Sequence, residues 1–143
     1  MVCGLAFAAT GVAQEIGPWR AASETARSIT GDLYFGGTKM SINFTPFTIA
    51  EIRDLKPAEA SGVFDVDAGA AGNGHLYRLM IPGSKRFVRK NTLCGSEDTQ
   101  WMVTYVDGKS LQLAFFSGTD MPVLTAEGLA TATDLCGTFS YVR

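Results

Sequence analysis

The sequence predicts an all-β fold: a single small antiparallel barrel of about eight strands, or a β-sandwich with the same strand count, carrying one disulfide. Three observations lead there. Most of the chain after residue 29 alternates apolar and polar positions with a period of two between breaks of Gly, Pro, Asn and Asp, as half-buried antiparallel strands do. Asp107-Gly108 joins two such runs, and this pair is a strong hairpin signal because both central turn residues need positive φ. Finally, 143 residues with 46% hydrophobic and 18% charged content can bury a real core, which a disordered chain cannot do.

Taken in order, Ala21–Arg27 is expected either as two helical turns or as the first strand. Asp32–Phe35 reads as a strand, and in the next Met40, Ile42 and Phe44 share one face with Lys39, Ser41 and Asn43 on the other. Phe47–Leu55, Gly62–Val66, Leu76–Ile81 and Phe87–Arg89 follow, separated by Pro57, the glycine-rich loop at 68–74 and Pro82-Gly83. Trp101, Val103 and Tyr105 oppose Gln100, Met102 and Thr104, and the Asp-Gly turn leads into Leu111, Leu113 and Phe115. Thr138–Val142 supplies the last strand. Regularly spaced short strands of this kind build a barrel or sandwich, with residues 14–143 as one domain.

Residues 1–13 form a charge-free run of small and apolar residues that gives way to Gln14 and Glu15. They read as the remnant of a signal peptide, with Gly11 and Ala13 as the small residues of a processing site. The run is shorter than the roughly 20 residues a spanning helix needs, so no stable membrane insertion is expected. Loss of the leader removes Cys3 and leaves Cys94 and Cys136, each in a Leu-Cys-Gly string, as an even pair for a disulfide. In the chain-entropy model, a bond closing that loop stabilises by about 4 kcal/mol. The expected location is therefore periplasmic or secreted. Twelve Lys and Arg against fourteen Asp and Glu give a net charge of −2, which offers no positive field for nucleic acid.

Gly17-Pro18-Trp19 has the Gly-x-Trp form that opens the first strand of calycins, and Phe139-Ser140-Tyr141-Val142-Arg143 supplies a basic residue on the last strand. On these features, with the strand count and size, the chain resembles the calycin barrels, which include lipocalins, avidins and bacterial metalloprotease inhibitors. The resemblance implies that Arg143 packs across Trp19, a structural contact.

Chemistry is sparse. A hydrolytic site would have to recruit His75, the one histidine, but it ends the loop from Asp67 to Gly74 and is expected as a solvated loop-end residue. Ser117 lacks a Gly-x-Ser-x-Gly elbow. Asp65-x-Asp67-x-Gly69 begins like a calcium loop, yet Ala70 stands where Gly is needed and Leu76 where the bidentate Glu belongs. Gly69, Gly72 and Gly74 lack the Lys-Ser/Thr of a phosphate loop. One His and two oxidised Cys cannot close a zinc site, so neither metal nor cofactor is expected, and no catalysis.

The binding candidates are the aromatics Tyr77, Trp101, Tyr105, Phe115 and Phe116 and the cations Lys85, Arg86 and Arg89 of the run 85–90, whose default reading is a solvated edge strand. The expected function is an exported, monomeric binding barrel that holds a small apolar ligand. The alternative is an inhibitor or protein-interaction module acting through a terminus or the disulfide-pinned loop.

Overall fold

A computed structural model describes residues 14–143; the signal-peptide reading of 1–13 and the reading of Cys3 lie outside the described residues. Eight strands form a closed antiparallel barrel in sequence order: β1 (Gly17–Ala21), β2 (Leu33–Phe35), β3 (Lys39–Ile42), β4 (Thr45–Asp54), β5 (Asn73–Ile81), β6 (Thr99–Asp107), β7 (Ser110–Ser117) and β8 (Leu135–Val142). Closure falls to β1, which pairs through Gly17–Trp19 with β2 and through Arg20 and Ala21 with β8. A closed sheet leaves no edge, which excludes the sandwich. The β6–β7 hairpin is present, but its two-residue turn is Gly108-Lys109: Asp107 still pairs with Ser110 as the last residue of β6, and of the expected Asp107-Gly108 pair only Gly108 has positive φ, at +60°.

Alternation decides the core. From β5 the side chains of Tyr77, Leu79 and Ile81 enter the barrel, from β6 Met102 and Val106, and from β7 Leu111, Leu113 and Phe115. They meet Phe35, Met40, Ile42, Phe139 and Tyr141 along the axis, and Phe115 and Phe139 pack edge to face at 5.4 Å. The other face of the β5–β7 wall is buried too. Leu76, Trp101, Val103, Ala114 and Phe116 form a second cluster with Leu124, and Val63, Phe64 and Leu129 pack on it. Two helices bring that cover, α1 (Pro57–Phe64) and α2 (Ala126–Ala130).

Three local expectations are corrected and one open alternative is resolved. Gly62–Val66 is not a strand: Gly62–Phe64 are the last residues of α1, Asp65 ends it in a left-handed conformation, and Val66 follows outside it. Pro57 suits a first helical turn, Ala58 and Ala60 are strong helix formers, and the Glu59 carboxylate accepts the Lys56 backbone N–H at 2.9 Å. Phe87–Arg89 is not a strand either: Val88–Lys90 makes a 3-10 turn in which Arg89 and Lys90 both have positive φ. Phe44 leaves the face of Met40 and Ile42 because it sits in the two-residue turn between β3 and β4. Residues 21–27 resolve into the end of β1 at Ala21, then a loop and a π-helical turn at Ala26–Thr30.

At the end of the barrel that carries the chain terminus, the Arg143 guanidinium lies 4.2 Å over the Trp19 ring and donates to the carbonyls of Gln14 and Gly108. Trp19 Nε1 donates to the Glu15 carbonyl at 2.7 Å. At the opposite end Cys94 and Cys136 form the disulfide, which ties the β5–β6 loop to the start of β8. Among the described residues no helix is long and apolar enough to cross a membrane.

Candidate functional site

The two barrel ends carry different chemistry. The disulfide end gathers the β1–β2, β3–β4, β5–β6 and β7–β8 connections. There the turn between β3 and β4 is Asn43-Phe44, with φ of +47° and +70°. This hairpin geometry normally selects Gly at its second position, because an L side chain there costs about 1–2 kcal/mol. Phe44 nevertheless occupies it and is 94% exposed. Beside it, the Cα of Gly31 is flanked by Asn43 and Val88, so the Phe44 turn and the basic loop are neighbours.

The basic loop is built to hold its shape. Phe87 is buried against Phe47 with ring centroids 6.0 Å apart, and the Lys85 ammonium lies over the Phe87 ring. Arg86 donates to the Lys90 carbonyl, and Asn91 Nδ2 to the Ser28 carbonyl at 2.7 Å. Gly83 runs so close to Ser96 that a Cβ would fall 2.2 Å from its carbonyl oxygen, and its N–H donates to Asp98. Between these strands of loop opens a cleft of about 420 Å3 lined by Gly83, Ser84, Arg86, Thr92, Gly95 and Ser96. Arg89 and Lys90 add two consecutive left-handed residues, the kind of backbone strain that collects at functional loops.

The other end holds a polar cluster inside the wall. His75 is not a solvated loop-end residue: β5 starts two residues before it and its side chain is only 14% exposed. Its Nδ1 meets Glu15 Oε2 at 2.7 Å, and its Nε2 lies 3.4 Å from Asp54 Oδ1. Glu15 is completely buried, and the Thr104 hydroxyl also donates to its Oε2. Burial pushes the Glu15 carboxyl up, but hydrogen bonds from His75 and Thr104 outweigh that and hold it below the usual range. The bond to Glu15 likewise holds the His75 imidazolium above its ordinary pKa against desolvation, aided by Glu51 and Asp54. Burial, followed by the Glu15 and Glu51 charges, pushes the Tyr77 phenol up.

A base of this kind needs a nucleophile to activate. Among the described residues the ring's hydrogen-bond and ion-pair partners are carboxylates on both sides, and the Thr104 hydroxyl is spent on Glu15. The arrangement can hold a proton or a cation.

The structure scatters the aromatic candidates. Tyr77 and Phe115 lie on the axis, whereas Phe116 and Trp101 lie outside the wall beneath the helices, Trp101 with Arg78 at 4.7 Å over its ring. Tyr105 packs near Phe64, and its hydroxyl accepts the Gly72 N–H. All five are buried. Lys85, Arg86 and Arg89 do share one loop, joined by Phe44, which alternation had placed in the core. Glu15 and Thr104 were not singled out from the sequence. A charged residue at the start of the barrel segment carries no period, and Thr104 reads as the polar side of a strand. Compared with known proteins, the chain matches no family model, no curated protein and no solved structure.

Proposed function

We propose that this chain is an exported, non-catalytic interaction module of calycin type that docks on an acidic protein through its disulfide-pinned end. The observation that carries the reading is Phe44: a large apolar side chain held exposed in a left-handed turn, next to a rigid loop of Lys85, Arg86, Arg89 and Lys90. An exposed aromatic anchor beside a basic loop suits a partner with an apolar pocket and acidic rim. Because the loop is already ordered by the disulfide and by Phe87, little entropy is left to lose on binding.

The packed axis favours this over storage of an apolar ligand in the interior. Met40, Ile42, Met102, Leu111, Leu113 and Phe115 each keep no area open to water, whereas side chains lining a ligand cavity would. The disulfide supports an oxidising compartment, and the closed eight-stranded barrel with Arg143 over Trp19 supports the calycin resemblance.

The test places a photo-crosslinking residue at position 44 of the exported protein, with position 52 on the wall as control. A discrete protein adduct at 44, absent at 52 and lost with Arg86→Glu and Arg89→Glu, is the expected result. No adduct at 44, or a non-covalent small-molecule adduct in the native mass spectrum that disappears on denaturation, overturns the reading.

A further inference from the structure

The end of the barrel opposite the docking rim carries a second, separate arrangement. β4 is irregular between Glu51 and Arg53: in the ladder Glu51 faces Tyr77, Arg53 faces Leu76 and Asp54 faces His75. A regular strand would put residues 51 and 54 on opposite faces. The bulge inserts one residue, so both acids stand opposite inward-facing residues of β5, and Arg53 turns away to a two-pronged bond with Glu59. Ligand atoms from Glu51, Asp54 and His75 then lie within 4.8 Å of one another. The His75 Nε2 to Asp54 Oδ1 distance is 3.4 Å. Two ligand atoms on one tetrahedral ion, each bonded at about 2.0–2.2 Å, stand roughly that far apart. Glu51 and Asp54 are exposed, so their side chains are free to close the remaining gap.

The ring is held as a ligand needs to be. Glu15 Oε2 accepts from Nδ1 and thereby directs Nε2 at the two rim acids, the carboxylate–histidine arrangement that orients a metal-bound imidazole. An independent observation sits behind the ring. Glu15 is completely buried, and its second oxygen, Oε1, has no hydrogen-bond partner among the described residues. Three carboxylates therefore surround one imidazole, and one of their oxygens is buried without a hydrogen-bond partner among the described residues. The guanidinium of Arg53, which lies between Glu51 and Asp54 in sequence, is committed to Glu59. A divalent cation in front of His75 offsets that charge directly.

We propose that Glu51, Asp54 and His75 bind a divalent transition-metal ion of zinc's class, with Glu15 as the positioning residue behind His75. One nitrogen and two carboxylates leave coordination positions for water and suit Zn2+ or Co2+ better than Ca2+, which takes six to eight oxygens, or Mg2+, which prefers oxygen and keeps its water.

The experiment uses the tag-free exported chain, stripped with EDTA and dialysed. Zn2+ is titrated by calorimetry, and Co2+ by its visible absorption, which reports coordination geometry. One ion per chain is expected, with affinity reduced roughly tenfold or more by Glu51→Gln and by Asp54→Asn. These rim variants leave the Glu15–His75 bond and the barrel intact, so they test the site even where His75→Gln fails to fold. Absence of stoichiometric binding at millimolar Zn2+ overturns the proposal. So does binding that both rim variants leave unchanged.

Discussion

At the scale of single residues, the informative positions are those where a side chain violates the local rule. Phe44 breaks two, taking a left-handed turn position and staying exposed. Asn tolerates that backbone far better than Phe does. Phe44→Asn is therefore expected to stabilise the chain by about 1 kcal/mol while removing the partner crosslink; urea unfolding checks the first part. An unchanged or lower stability would mean that Phe44 makes a contact its exposure does not reveal. His75 illustrates the reverse lesson. Its neighbours in sequence are Gly74 and Leu76 and its neighbours in space are Glu15 and Asp54. Nothing local could show that, because Glu15 is sixty residues away and enters from the segment before β1.

At the scale of elements, period two found most strands because each has one face on the axis, and it failed where the surroundings were not half-wet. β6 is buried on both faces because α1 and α2 roof it, so Trp101 and Met102 are equally covered although they point opposite ways. Those helices were hard to see: α1 spans only eight residues and its capping depends on Glu59. The Arg53 guanidinium, by hydrogen bonding, holds the Glu59 carboxyl below its ordinary value of 4.5. A carboxyl depressed in the folded state contributes stability above its unfolded pKa and loses it as pH falls through its folded one. The difference in thermal midpoint between wild type and Glu59→Gln is thus expected to be constant from pH 7 to about 5 and to shrink below 4.5. A difference that persists at pH 3 would assign Glu59 a purely steric role. The β4 bulge is a second element-scale device invisible in the sequence, since Glu51-Ile52-Arg53-Asp54 reads as an ordinary alternating strand.

At the scale of the whole molecule, the disulfide joins positions 42 apart in sequence and ties the β5–β6 loop to the start of β8. The Cys94→Ser, Cys136→Ser double variant is expected to lose about 4 kcal/mol in denaturant unfolding, with partner crosslinking at position 44 weakened as the loop gains freedom. A stability loss without any effect on crosslinking would separate the loop from the docking surface. By itself the sequence determined the class of structure, the pairing of Cys94 with Cys136 and most of the strands, because alternation, turn chemistry and cysteine parity are local or countable. Only the tertiary structure decided that the sheet closes, that its axis is filled, that Phe44 faces solvent beside the cations, and that Glu15, Glu51, Asp54 and His75 share one end. Closure and convergence depend on register and on a bulge, which bring together residues far apart in the chain, and no period along the sequence records them.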